Sequence, residues 1–175
     1  MEIIEILNEL LKNCESSDKK IKWKAAWTLG MIGEKAATPE VIQALIKQSK
    51  DKDACVRTIA ALALGLLGEK AATPEVIQTL VKLTGDYNGW VQSHATGALG
   101  HLGEKAATPE VIQVLIKLAG DQNYFVRERT AFALGNLGEK ATPEVIQALI
   151  KLSEDQKGWV RRVATEALEY LGVEK

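Results

Sequence analysis

Two cysteines, Cys14 and Cys55, are too few for a disulfide framework, and no Cys-x-x-Cys pair exists to hold zinc. The expectation is a reducing, cytoplasmic setting. Charge of one sign is also lacking. The 22 Lys and Arg face 23 Asp and Glu, for a net charge of −1. That balance excludes the strongly basic profile of a general nucleic-acid binder. No apolar run approaches the length of a membrane span. The first residues, Met1-Glu2-Ile3-Ile4-Glu5, lack the basic-then-apolar order of a secretory signal. Aromatic residues make up only 5% of the chain and prolines number four, so their placement is informative. What the chain does have is ordinary core material, 46% hydrophobic and 26% charged.

The dominant feature is an internal repeat. The string Gly-Glu-Lys-Ala-Ala-Thr-Pro-Glu-Val-Ile-Gln begins at Gly33, Gly68 and Gly103. A copy one alanine shorter begins at Gly138, and the register closes at Gly172. A loss inside a linker is tolerated because loops absorb length changes that helices cannot. The units run over about 1–33, 34–68, 69–103, 104–138 and 139–175.

Each unit holds two helices. Thr38, Thr73, Thr108 and Thr142 are N-cap candidates for the first. Pro39, Pro74, Pro109 and Pro143 follow at the first helical position, where a missing N–H is harmless. The next residue, Glu40 in the second unit, suits the positive helix end. Val41, Ile42, Leu45 and Ile46 then recur with helical spacing. In the first unit this helix runs from Glu2 to about Cys14. The second helix runs from about Val56 to Leu67 and ends at Gly68, with counterparts starting near Ile21, Val91, Val126 and Val160. The chain therefore reads as all-α, with five helical hairpins and no strand. One hairpin cannot bury both apolar faces, so the units must stack into one elongated domain spanning 1–175. Gly30, Gly65, Gly100 and Gly135 are expected to face the next unit closely. Glu169 stands at that position in the last unit, and Glu5 and Glu9 add charge to the first helix; both read as capping of ends.

The second helix reads Val-Arg-x-x-Ala-Ala-x-Ala-Leu-Gly-x-Leu-Gly over residues 56–68. Matching stretches run over 90–103, 125–138 and 159–172. This pattern resembles the short HEAT-like repeats of the phycobilisome-lyase group, and equally artificial repeat libraries built on that consensus. The resemblance covers nearly the whole chain and implies a right-handed α-solenoid whose second helices line the concave surface. It also implies an inter-repeat ladder of Asp and Arg, with Asp51 before Arg57, Asp121 before Arg127 and Asp155 before Arg161. The pattern departs at Asp86, which precedes Gln92, and in the first unit, which has Ser16 and Lys22.

The units differ mainly along one stripe. Counted from the first apolar residue of the second helix, core positions fall at 0, +4, +7, +8 and +11 and cluster on one face. Positions −1, +2, +3, +6 and +10 vary and cluster on an adjacent face. The first row is Lys20, Trp23, Lys24, Trp27 and Met31, and the second is Cys55, Thr58, Ile59, Leu62 and Leu66. The third row is Trp90, Ser93, His94, Gly97 and His101. The fourth is Phe125, Glu128, Arg129, Phe132 and Asn136, and the fifth is Trp159, Arg162, Val163, Glu166 and Tyr170. All four tryptophans and both phenylalanines lie in these rows. Trp, Tyr and Arg dominate interface hot spots, and a variable outward stripe of them has no obvious folding benefit. The bulky −1 position fits either packing at the hairpin end or binding. The first rows are apolar and the last are mixed and charged.

Chemistry is sparse. His94 and His101 are seven residues apart, ~10 Å along a helix, where chelation wants three or four. Their lateral neighbours Ile59, Leu66, Arg129 and Asn136 are poor ligands, so no metal is expected. No phosphate loop, GxGxxG or nucleophile elbow is present. Glu128 and Glu166 are the only carboxylates on the stripe and read as solvated rim charges. The leading expectation is a non-enzymatic scaffold, without cofactor, that binds a protein or peptide on the concave face; the apolar first rows would equally suit a homodimer. The family resemblance leaves open a bilin lyase-like subunit. A nucleic-acid role has only Lys20, Lys24, Arg129 and Arg162 against two carboxylates to support it.

Overall fold

A computed structural model describes residues 3–173, with the side chain of residue 139 outside the description. The expected helix start at Glu2 and the outermost domain ends therefore lie outside the described residues. Among the described residues there are ten α-helices and no strand. The first helices of the five hairpins are α1 (Ile3–Cys14), α3 (Pro39–Gln48), α5 (Pro74–Leu83), α7 (Pro109–Leu118) and α9 (Pro143–Leu152). The second helices are α2 (Lys19–Ile32), α4 (Ala54–Leu66), α6 (Gly89–His101), α8 (Tyr124–Gly135) and α10 (Gly158–Tyr170). They alternate to give an α-helical solenoid of five hairpins. No described helix is long and apolar enough to cross a membrane.

Local chemistry starts and stops these helices much as the sequence demands. Prolines open α3, α5, α7 and α9. The Thr38, Thr73 and Thr108 hydroxyls accept the backbone N–H of Val41, Val76 and Val111. Thr142 occupies the same position without such a bond. Its linker has lost one alanine, and the preceding residue, Ala141, is extended where Ala37, Ala72 and Ala107 are not. The second helices begin two residues before the first apolar residue of the repeat pattern. Asp18, Asp53, Asn88 and Asn123 cap them, a signal the Val-Arg pattern obscured. Gly68 and its equivalents have positive φ and turn the chain into a short 3₁₀ segment, which the sequence reading did not foresee.

The core runs as one cluster from Leu7 to Leu168. The second helices lie against one another more closely than the first helices do. Small residues allow it. A Cβ on Gly65 would stand 2.7 Å from Ala98 Cα, so glycine is required there. Gly30, Gly100 and Gly135 face Ala63, Ala133 and Ala167 in the same way.

The charge ladder does run between units, as the resemblance implies, but its pairing differs from the one the sequence suggests. Each Asp takes its partner from the preceding unit, not its own. Arg57 donates Nε and a terminal nitrogen to the two oxygens of Asp86, at 2.8 and 3.0 Å. Arg127 does the same to Asp155, at 2.6 and 2.9 Å. Lys22 reaches Asp51 at 2.6 Å and Gln92 reaches Asp121 at 3.3 Å, so the first unit and Asp86 both belong to the ladder. Each arginine spends its other nitrogen on its own loop. Arg57 bonds the carbonyls of Asp51 and Lys52, and Arg161 bonds those of Asp155 and Gln156. The same aspartates bridge the loop, as when Asp86 accepts the N–H of Asn88. Burial opposes ionisation of Asp86, but Arg57 and that N–H outweigh it and hold its carboxyl below the ordinary range. Asp155 is held low chiefly by Arg127.

Candidate functional site

The variable stripe emerges as a surface along the five second helices. At the α2 end, Trp23 and Trp27 are exposed and their rings lie parallel, 4° apart in plane and 5.7 Å between centroids. The spacing of four residues places both rings on one helix face. Met31 continues that line and is exposed. Lys20 and Lys24 flank it and are exposed as well. A cleft of about 320 Å³ between α2 and α4 is lined by Lys19, Lys20, Trp23, Lys24, Asp53, Cys55 and Val56.

The middle of the surface is shallower. Cys55 is exposed, and Thr58, Leu62 and Leu66 are half-buried. Thr58 also spends its hydroxyl on the carbonyl of Ala54. Trp90 is exposed and packs against Phe125 of the next unit at 5.1 Å, and Phe125 stacks on Tyr124 at 4.1 Å. His94 Nδ1 lies 2.8 Å from the Trp90 carbonyl and donates to it, which fixes its tautomer. His101 is exposed, with its ring 4.9 Å from Phe132. Partial loss of solvent around each ring, and then the nearby Arg129, push both histidines below the ordinary imidazole value; the Trp90 carbonyl partly offsets this at His94. Glu128 is half-buried and Arg129 exposed.

At the α10 end, Trp159 and Tyr170 are 64% and 76% exposed, the openness expected of a contact surface rather than of core. Arg162 lies over Trp159 at 5.7 Å and bonds Glu166 at 3.0 Å. Phe132, Asn136, Val163, Glu166 and Tyr170 line a small cleft of about 160 Å³ between α8 and α10.

Three residues of the expected stripe are corrected. Ile59 and Ser93 are each 3% exposed and belong to the interior, and Gly97 is buried beside Arg129 of the next unit. Positions +2 and +3 lie in the valley between neighbouring second helices, where side-chain length decides exposure. Arg129 passes 3.1 Å from the place a Cβ on Gly97 would take and reaches solvent. Ser93 and Ile59 are too short to clear the valley.

One exposed group was missed. Tyr87 lies in the loop before α6, with Arg57 over its ring at 4.9 Å. Its signal was the varying loop position shared by Lys52, Tyr87, Gln122 and Gln156. Among the described residues no group of three or more His, Cys, Asp or Glu could hold a metal ion.

A sequence model of HEAT repeats matches residues 4–100 and 77–169, which together take in nearly all the described helices. The chain belongs to the HEAT repeat family. No curated protein matches it. Solved structures similar to this HEAT repeat chain include an engineered protein, with TM-score 0.76 and 23% identity over 95% of this chain and 79% of that one. The complex of CpcE and CpcF of the phycocyanin lyase from Nostoc sp. PCC7120 is similar at TM-score 0.76 and 24% identity, over 96% of this chain and 65% of that one. A designed armadillo repeat protein in complex with the peptide (KR)4 is similar at TM-score 0.71 and 21% identity, over 94% and 81%. At these identities the likeness is one of fold, and these HEAT repeats share a helical-repeat architecture with a lyase and with peptide binders alike.

Proposed function

We propose that the chain is a non-catalytic HEAT repeat scaffold that binds a protein or peptide across the outward side chains of α2, α4, α6, α8 and α10. The observation that carries this is the run of large apolar side chains left in solvent there: Trp23, Trp27, Met31, Trp90, Trp159 and Tyr170. Exposed aromatics gathered on one face are the usual mark of a contact surface.

Curvature supports the same face. The Gly–Ala contacts pinch the second helices together. The first helices leave clefts between them, such as one of about 590 Å³ between α7 and α9. A stack pinched on one side bends toward that side, which supports reading the aromatic surface as the concave one. The designed armadillo neighbour that holds a peptide is a precedent for such use of this architecture.

The test is to pan a random peptide library on the full chain, and again on Trp23→Ala with Trp27→Ala and on Trp90→Ala with Tyr170→Ala. Wild type is expected to retain peptides that one or the other double variant releases, with both variants melting close to wild type. A large loss of stability would mean the rings act as core, and peptide capture indifferent to both variants would sink the reading. The lyase neighbour favours a second reading, a bilin-binding subunit. Incubation with a bilin is expected to leave its absorption spectrum unchanged, and a shifted band would favour that reading instead.

A further inference from the structure

The two ends of the surface handle charge differently. Helix α2 carries Lys19, Lys20, Lys22 and Lys24 and no acidic residue. Two of these are spent: Lys22 on Asp51 at 2.6 Å and Lys19 on Asp53 at 2.9 Å. Those same bonds occupy the two carboxylates that α4 and its preceding loop bring to the cleft. Asp53 also accepts the backbone N–H of Cys55, and Asp51 that of Asp53. Lys20 and Lys24 have no ion pair among the described residues. They stand one turn apart beside Trp23 and Trp27, at the rim of the cleft floored by Trp23 and Val56. At the other end, Arg162 is already neutralised by Glu166 and covers the Trp159 ring.

We infer that the α2 end takes an acidic peptide segment, with an apolar side chain against Trp23 and carboxylates on Lys20 and Lys24; this rests on the protein-binding reading above. The chemistry is complementary. Two unpaired ammonium groups flank an apolar cleft, and the nearest carboxylate without a lysine partner, Asp18, caps the start of α2 and accepts the Lys20 backbone N–H. A basic segment would meet like charge from Lys20 and Lys24 there. Steering by these lysines weakens as salt rises, because both are in solvent.

The experiment sequences the peptides retained by wild type and released by Trp23→Ala with Trp27→Ala. They are expected to be rich in Asp and Glu around an aromatic or aliphatic residue. One such peptide, titrated against Lys20→Glu with Lys24→Glu, is expected to bind about tenfold more weakly. Both substitutions are exposed, and circular dichroism with a melt confirms that the variant folds. Neutral or basic peptides in the Trp-dependent set, or unchanged affinity in the Lys variant, would overturn this inference while leaving the recognition surface standing. Peptides that depend on Trp90 and Tyr170 but never on Trp23 and Trp27 would also overturn it. A wild-type dimer in sedimentation that the Trp23 and Trp27 double variant dissolves would identify a second copy as the occupant and overturn it too.

Discussion

His94 and His101 sit midway along the aromatic surface, one bonded to a backbone carbonyl and the other against Phe132. Partial loss of solvent, with Arg129, favours their neutral forms when folded. The unfolded chain, at the ordinary imidazole value of 6.5, therefore binds protons that the folded chain refuses. Stability is whole above that value and falls as pH drops from it toward the folded pKa. Thermal melts are expected to show a decline below about pH 6.5, and His94→Gln with His101→Gln is expected to flatten it. The ladder carboxylates act in a separate window. Asp86 and Asp155 are depressed when folded, so their contribution holds above the unfolded value of 3.8 and is lost as pH falls through the lower folded values. Neither effect was legible from the residues alone, since both depend on what lies against each group.

At the scale of the element, the ladder and the Gly–Ala contacts tie one hairpin to the next. Arg57 and Asp86 have side chains only 8% and 9% exposed, so the pair is buried and breaking it strands a charge. Arg57→Ala is expected to cost about 3 kcal/mol in denaturant titration. Lys22→Ala removes a more open pair and is expected to cost about 1 kcal/mol or less. Gly65→Ala drives a Cβ into the α6 backbone and is expected to cost about 1–2 kcal/mol, even after the gain of about 1 kcal/mol in helix propensity. Gly120→Ala meets only the Lys117 carbonyl, at 3.7 Å, and is expected to be neutral or slightly stabilising. The exposed linker pairs, Glu34 with Lys70 and Glu69 with Lys105, repeat along the stack but contribute little each.

For the whole molecule, stability is a sum over neighbours, because each hairpin packs on those adjacent to it. Hydrogen exchange is expected to be slowest in α4 and α6, which have a unit on either side, and faster in α1 and α10. Uniform protection along the chain would mean the stack unfolds as a single unit. In the proposed binding role, one surface running across all five second helices would let separate rows meet separate parts of an extended partner.

The sequence by itself determined the hairpins, their number and their boundaries to within a turn. Those features depend on local signals: proline at a helix start, glycine where φ must be positive, and an apolar period that repeats in register. It also placed the tryptophans and phenylalanines on one stripe, because helical geometry converts spacing into a face. Tertiary structure decided the rest. Which arginine meets which aspartate depends on how far one unit is shifted against the next. Whether Ile59 is seen by solvent while Arg129 is depends on the valley between two helices, and a valley exists only after they pack.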